Sequence, residues 1–209
     1  SDALVRNNVV RDAETGLIVM TRPTGNALVG NDVRECRLGV SVAGSESFVA
    51  DNRLVDNRDG LDLTAYRTLY TGNVIANNEV GITASTLIPT NRVYGNDVVG
   101  NERYVKSIMG PVRVWTVDGR GNYWEGAPGF DTGDGTLDRP FRPTGTVDKR
   151  ANRASGIHTL ALSPAVNVLR WQGNAVPGLR ATGVVDTAPL ADPARPGVVA
   201  NVTATEGAS

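Results

Sequence analysis

The chain has 209 residues, of which 40% are hydrophobic and only 5% are aromatic, with 24 glycines and 11 prolines. Its formal net charge of -1 provides neither the basic surface of a nucleic-acid-binding domain nor a polybasic membrane patch. No apolar run reaches the roughly 18 residues that a membrane-spanning helix needs, so none is predicted in these residues. The single cysteine, Cys36, excludes an internal disulfide.

The first half of the sequence repeats a pattern of apolar and polar positions at intervals of 21 to 23 residues. An asparagine marks each repeat, and the five positions are Asn8, Asn31, Asn52, Asn73 and Asn96. Short β-type segments at this spacing cannot bury an apolar face individually, so they predict a solenoid whose neighbouring coils share one core. The predicted fold is therefore all-β, a parallel β-helix whose coils occupy residues 1–125. Because the pattern is already present at Val5, we expect further coils before residue 1.

Two more columns repeat with the first asparagine. Five residues after it stand Ala13, Cys36, Asn57, Asn78 and Asn101. Coils stack about 4.8 Å apart, so we expect both asparagine columns to form hydrogen-bonded ladders and Cys36 to be a small buried residue. Eight residues after it comes a glycine in four coils, predicted to make a tight corner without a Cβ penalty, and Tyr104 in the fifth coil.

The organisation changes after residue 105. A degenerate sixth coil is predicted around Asn122 and Trp124, followed over residues 126–193 by an acidic loop, a capping helix that begins near Ser163, and an extended strap. A bare last coil exposes edge hydrogen bonds and core side chains, which explains the need for a cap. From Gly183 onward, proline and small polar residues predict this strap and then a disordered tail over residues 194–209.

Two groups of carboxylates are candidate sites. Asp131, Asp134 and Asp138 surround two glycines in a pattern that resembles a structural calcium loop, and the alternative is an Asp-Gly turn without an ion. The second group is a column four residues after the ladder asparagine, formed by Asp12, Glu35 and Asp56. Three stacked carboxylates are either solvated and screened, or they form a docking face for a metal, a sugar or a partner protein.

The C-terminal half carries a family resemblance. The strings "GNYW", "GFDTGDGTLDRPF", "VD", "SPAVNVLRW", "VP" and "GVVDTAPL" occur in this order after the Asn/Gly coils. Together they resemble the C-terminal portion of the NosD family. The resemblance implies a right-handed parallel β-helix in the periplasm, or otherwise outside the cell. It also implies a non-catalytic scaffold, not an enzyme, that works with an ABC-type ATPase and membrane subunit and with a copper chaperone in maturing the copper centre of nitrous oxide reductase.

Soft or imidazole ligands for copper are scarce in the sequence. Cu(I) prefers Cys and Met, and Cu(II) accepts His, but the chain offers only Cys36, Met20, Met109 and His158. The two methionines fall four coils apart, about 19 Å at the usual strand spacing, so they cannot share one ion. If copper is handled, we expect its ligands to come from a partner or from the missing N-terminal half.

Two other classes of protein share such coils. The first alternative is a polysaccharide-binding or polysaccharide-modifying β-helix protein, such as a lyase, epimerase or hydrolase, since fold does not decide function. Its site would need carboxylates that converge with Lys or Arg on a sugar, and the column of Asp12, Glu35 and Asp56 is the nearest match. The second alternative is an extracellular adhesion coil.

Overall fold

The computed structural model describes residues 3–20, 24–84, 90–107, 113–131, 133–143 and 183–203. Short parallel strands stack into three sheets, which confirms the predicted parallel β-helix of about five turns. Sheet A consists of β1 (Leu4–Arg6), β4 (Ala27–Val29), β7 (Phe48–Ala50), β10 (Leu69–Thr71) and β13 (Arg92–Val93). Sheet B consists of β2 (Val9–Arg11), β5 (Asp32–Arg34), β8 (Arg53–Val55), β11 (Val74–Ala76), β14 (Asp97–Val99) and β17 (Tyr123–Trp124). Sheet C consists of β3 (Thr15–Val19), β6 (Leu38–Val42), β9 (Asp59–Leu63), β12 (Val80–Ala84) and β15 (Arg103–Ser107).

The core is a set of stacked aliphatic columns. In sheet B the middle residue of each strand points inward, so Leu54 lies in register between Val33 and Ile75, and all three are fully buried. The column ends at Trp124, which pairs with Val98. A thin core of Val, Leu and Ile thus follows directly from strands of two to five residues whose side chains alternate between two faces.

The repeated glycines lie in sheet C and serve a different purpose from the one predicted. None of the four has a positive φ. A Cβ atom on Gly39 would lie 2.4 Å from the carbonyl oxygen of Gly60, and one on Gly81 would lie 2.9 Å from that of Tyr104. Glycine is therefore required because the backbone of the next coil approaches closely. Tyr104 carries a side chain because β15 is the last strand of its sheet.

An aromatic cluster closes the C-terminal end of the core. Trp124 stacks on Trp115 with 6.3 Å between ring centroids, and its ring also contacts those of Tyr104 and Phe141. Beside this cluster, β16 (Arg113–Val114) pairs with β18 (Val184–Val185), so the chain beyond residue 183 returns to cover the end. The predicted capping helix near Ser163 lies outside the described residues.

The chain after the strap contains the helix α1 (Pro196–Thr203), where the sequence predicts a disordered tail from residue 194. Proline at the first helical position is favourable because its missing N–H is not needed there. The helix is ordered because Val199 and Val202 are buried against the outer face of sheet B, a long-range contact that composition does not reveal. Within the described residues, no helix has the length and hydrophobicity that a membrane crossing requires.

Candidate functional site

The first asparagine column forms a continuous hydrogen-bonded ladder. The side-chain Oδ1 of Asn73 accepts bonds from the backbone N–H of Asn52, at 3.1 Å, and from its Nδ2, at 2.9 Å. The Nδ2 of Asn73 also donates to the carbonyl of Val49. The same arrangement links successive coils at Asn8, Asn31, Asn52, Asn73, Asn96 and Asn122. These side chains therefore satisfy backbone groups that are buried at the coil corner and would otherwise lack a hydrogen-bond partner.

The second column forms a shorter ladder at the next corner. The Oδ1 of Asn78 accepts the N–H and Nδ2–H of Asn57, and Asn101 does the same for Asn78. Cys36 continues this ladder with its N–H alone, which donates to Asn57, while its buried Sγ contacts the carbonyl oxygen of Arg34 at 3.1 Å. Cys36 has a structural role, since its thiol is buried and contacts a backbone carbonyl oxygen.

A third ladder at the remaining corner was not predicted from the sequence. Its members precede the strands of sheet A, and the N–H of Thr68, for example, donates to Oδ1 of Asn91 at 3.1 Å. The positions are Asn26, Ser47, Thr68 and Asn91. They recur at the same intervals as the other ladders. Because asparagine, serine and threonine share one role here, no single repeated residue type marks this ladder in the sequence.

A buried carboxylate terminates the first ladder. The Oδ2 of Asp186 accepts the backbone N–H of Asn122 at 2.7 Å and the indole N–H of Trp124 at 2.9 Å, while Oδ1 accepts the hydroxyl of Thr116 at 3.0 Å. Asp186 is fully buried and stands where the asparagine of a further coil would lie. Nothing in the local sequence indicates this role, because Asn122, Trp124 and Thr116 are all more than 60 residues away.

The predicted docking column occupies the corner between sheets B and C. Asp12, Glu35 and Asp56 are exposed, and all three have left-handed backbone conformations, with φ of 52°, 54° and 57°. Asn77 and Gly100 continue the column with φ of 55° and 69°. Aspartate, asparagine and glycine adopt this conformation most readily, so the turn geometry explains most of the column. It does not explain Glu35, whose longer side chain has no such advantage.

A polar groove of about 230 Å³ runs along the same corner. Its lining includes Asp56, Arg58, Asn77, Glu79 and Gly100. The Nε atom of Arg58 lies 4.0 Å from a carboxylate oxygen of Glu79, and both side chains are more than half exposed. Such a pair contributes at most about 1 kcal/mol to stability, so the groove is a solvated, mixed-charge surface.

The acidic loop is organised by its own hydrogen bonds. Oδ1 of Asp131 accepts the backbone N–H groups of Gly133 and Gly135, and Oδ1 of Asp138 accepts that of Phe130. Asp134 likewise accepts the N–H and hydroxyl of Thr136. The structure does not bring these three carboxylates together, since the described part of the chain holds no group of three His, Cys, Asp or Glu side chains that could bind a metal. The calcium site stays a prediction.

The candidate copper ligands are scattered. Cys36 is buried in the second ladder, and Met20 is 65% exposed near the N-terminal coil. Met109 and His158 lie outside the described residues. The expectation that any copper ligands come from a partner or from outside these residues therefore also stays a prediction.

Three titratable groups with perturbed pKa values lie on the outer face of sheet B. The Arg34 guanidinium donates two hydrogen bonds to the carboxylate of Asp32, one of them from Nε to Oδ1 at 2.6 Å. These bonds raise the pKa of Arg34. Burial, and then repulsion by Arg34, lowers the pKa of Arg53. Burial also raises the pKa of Asp97, although two backbone N–H groups and Arg195 oppose that shift. Arg34 and Asp97 are engaged in hydrogen bonds within the fold.

Comparisons with known proteins identify relatives of this chain. The model of the family described as "Periplasmic copper-binding protein (NosD)" matches residues 1–129. A relative in Pseudomonas aeruginosa, described as "Probable ABC transporter binding protein NosD", is 32% identical over 190 residues, which cover 89% of this chain and 42% of the relative. A protein of the same description in Stutzerimonas stutzeri is 33% identical over 179 residues, which cover 83% of this chain and 39% of the relative.

The chain thus spans well under half the length of these relatives. The resemblance predicted from the C-terminal strings is confirmed by a family match to the coils and by relatives that align with most of the chain. The chain belongs to the NosD family of periplasmic copper-binding proteins.

Proposed function

We propose that this chain is part of an extracytoplasmic scaffold that assists an ABC-type transporter in building the copper centre of nitrous oxide reductase. In this role it binds partners and catalyses no reaction. The observation that carries the proposal is the alignment of 89% of the chain with a relative described as a probable ABC transporter binding protein. The membrane subunit of the transporter, a copper chaperone and the reductase would then be the partners, and the copper ligands would come mainly from them.

The solenoid supports a docking role because it presents straight, regularly spaced lateral surfaces. Along one of them, Asp12, Glu35 and Asp56 repeat from coil to coil with exposed carboxylates, at a spacing of about 4.8 Å. Such a row would attract a cationic protein surface and speed its association at low ionic strength. The column is therefore the best candidate for the partner-binding face.

The test compares the parent with the triple variant Asp12→Asn, Glu35→Gln and Asp56→Asn. Binding of the immobilised chain would be measured to the detergent-solubilised transporter, the copper chaperone and the reductase. We expect at least one partner to bind the parent, and to bind the triple variant at least tenfold more weakly at low salt. The matched control Glu14→Gln, Glu46→Gln and Asp118→Asn removes three charges from exposed side chains outside the column and the groove, and should bind like the parent. Absence of any binding by the parent would refute the proposed function. Equal binding by both triple variants would show that the docking face lies elsewhere on the chain.

The polar groove favours glycan binding as the second candidate function. Asp56, Arg58 and Asn77 place acceptors and donors side by side in a shallow depression, which suits sugar hydroxyls. A glycan array separates the two candidates. Selective binding of one glycan class by the parent, lost in Arg58→Ala, would favour the glycan role over the scaffold role.

A further inference from the structure

The outer face of sheet B becomes apolar where α1 covers it. Four outward side chains there form a cluster separate from the solenoid core and are at most 3% exposed; we call Val55, Val74, Ala76 and Val99 the apolar strip. The corresponding outward positions of β2 and β5, which α1 does not cover, are Val9, Arg11, Asp32 and Arg34. Apolar residues on the outside of a solenoid need a cover, and α1 supplies it.

The cover itself is small. α1 has eight residues and buries Val199 and Val202, with Val198 packed at the edge. No acidic residue in its first turn and no basic residue in its last turn stabilises its ends. An isolated helix shorter than about 12 residues is not stable in water. α1 is therefore helical only while it rests on the apolar strip, so folding and docking of α1 are one event.

Four hydrogen bonds anchor the chain just before α1. The two oxygens of Asp97 accept the backbone N–H groups of Ala194 and Arg195, at 2.7 and 2.8 Å. The guanidinium of Arg195 donates to the carbonyl oxygens of Asp51 and Gly72, at 3.0 and 3.1 Å. All these contacts precede the first residue of α1. Loss of this anchor would free the helix without breaking any strand pairing.

We propose that residues 191–203 are a displaceable cover, and that the apolar strip beneath is an interaction surface for an amphipathic helix of a partner protein. The helix α1 shows what chemistry fits: two β-branched apolar residues three positions apart, with a cation just before the helix. The buried carboxylate of Asp97 favours this orientation, because the N-terminal end of a helix carries partial positive charge. This proposal does not depend on which cargo the scaffold helps to deliver.

Hydrogen exchange on the full chain tests whether the cover opens independently. We expect the amides of Val199 to Thr203 to exchange at least tenfold faster than those of β11 in the parent. In Arg195→Ala they should exchange about tenfold faster again, with β11 unchanged. The control Arg139→Ala, a change in the acidic loop, should match the parent. Equal exchange rates of α1 and β11 in the parent and in Arg195→Ala would show that α1 opens only with the solenoid, which overturns the proposal.

A labelled peptide with the sequence of residues 191–203 tests the surface itself. We expect it to bind Val199→Asp, whose own cover is displaced, at least tenfold more tightly than the parent; Arg195→Ala provides a second open variant should Val199→Asp fail to fold. Adding Ala76→Asp to either open variant should abolish binding. Binding that is equal in parent and open variants, or that survives Ala76→Asp, overturns the proposal. A dimer of the open variants that exchanges α1 between copies would also overturn it, since the occupant would then be a second copy of this chain.

Discussion

The backbone N–H of Asn122 donates to Oδ2 of Asp186 at a distance of 2.7 Å, and this bond joins the sixth coil to a residue 64 positions later. In every earlier coil the equivalent N–H donates to an asparagine of the next coil. Asp186 thus replaces a coil that does not follow, and the ladder ends without an unpaired buried donor.

Asp186→Ala should destabilise the chain strongly. The change leaves the N–H groups of Asn122 and Trp124 and the hydroxyl of Thr116 without their acceptor, and each buried unpaired group costs about 1–3 kcal/mol. We expect a loss of more than about 3 kcal/mol in the free energy of unfolding, measured by urea titration. Asp186→Asn, which keeps one acceptor oxygen, should lose less. A change of under about 0.5 kcal/mol in Asp186→Ala, the usual range for neutral surface substitutions, would contradict this account.

Asn73→Ala should also cost several hydrogen bonds. The side chain accepts two bonds from Asn52 and donates to Asn96 and to the Val49 carbonyl. We expect at least about 1–3 kcal/mol of lost stability, because buried backbone groups are left unpaired. Asn8→Ala is the matched control, since Asn8 is exposed in the first coil and should lose less. Equal melting temperatures for the parent and Asn73→Ala would show that the ladder contributes nothing.

Glu35→Gly should stabilise the chain. The residue has a φ of 54°. Glycine adopts this left-handed conformation without steric cost, so the substitution should add roughly 1 kcal/mol to the free energy of unfolding. The greater conformational entropy of glycine in the unfolded state partly offsets this gain. The control Glu79→Gly, at a position without positive φ, should be neutral or destabilising. Thermal melts of both variants measure the difference. Destabilisation by Glu35→Gly would mean that the carboxylate makes a favourable interaction that outweighs its backbone cost.

The carboxyl of Asp97 should make stability depend on pH. Burial raises its pKa in the folded chain, against the opposing effects of the Ala194 and Arg195 N–H groups and the Arg195 charge. The folded state therefore binds the proton more readily than the unfolded state, whose pKa is about 3.9. This contribution to stability is fully present below that value and is lost as pH rises through the folded pKa.

The difference between the free energies of unfolding of the parent and of Asp97→Asn isolates this effect. We expect the parent to lose stability relative to Asp97→Asn as pH rises above about 4. Tyr123, Glu125 and Asp192 are titratable groups near this site, and they are present in both proteins. A slope of the opposite sign would mean that hydrogen bonding to the carboxylate outweighs its burial.

The fold was predictable from the sequence because the same interactions recur in every coil. Asn73 and Asn78 could be placed from spacing, since asparagine recurs at one offset in each of their ladders. The reason for a glycine at Gly39 could not be predicted, because the carbonyl oxygen that excludes a side chain belongs to Gly60 of the neighbouring coil and leaves no local signal in the sequence. Asp186 was missed for the same reason, as its partners are distant in sequence. Spacing in the sequence places Asp56 in the docking column. Its left-handed backbone conformation is visible only in the structure.

The coils differ in length, yet the ladders stay in register, because one corner absorbs the difference. Successive asparagines of the first ladder are 23, 21, 21, 23 and 26 residues apart. The connections from sheet C to sheet A contain seven residues at 20–26 and 85–91, but five at 43–47 and 64–68. The other two corners contain the two asparagine ladders and keep their length through the first five coils. Insertions and deletions should therefore be tolerated at this one corner, where a tag or an additional binding loop could be grafted without shifting any strand.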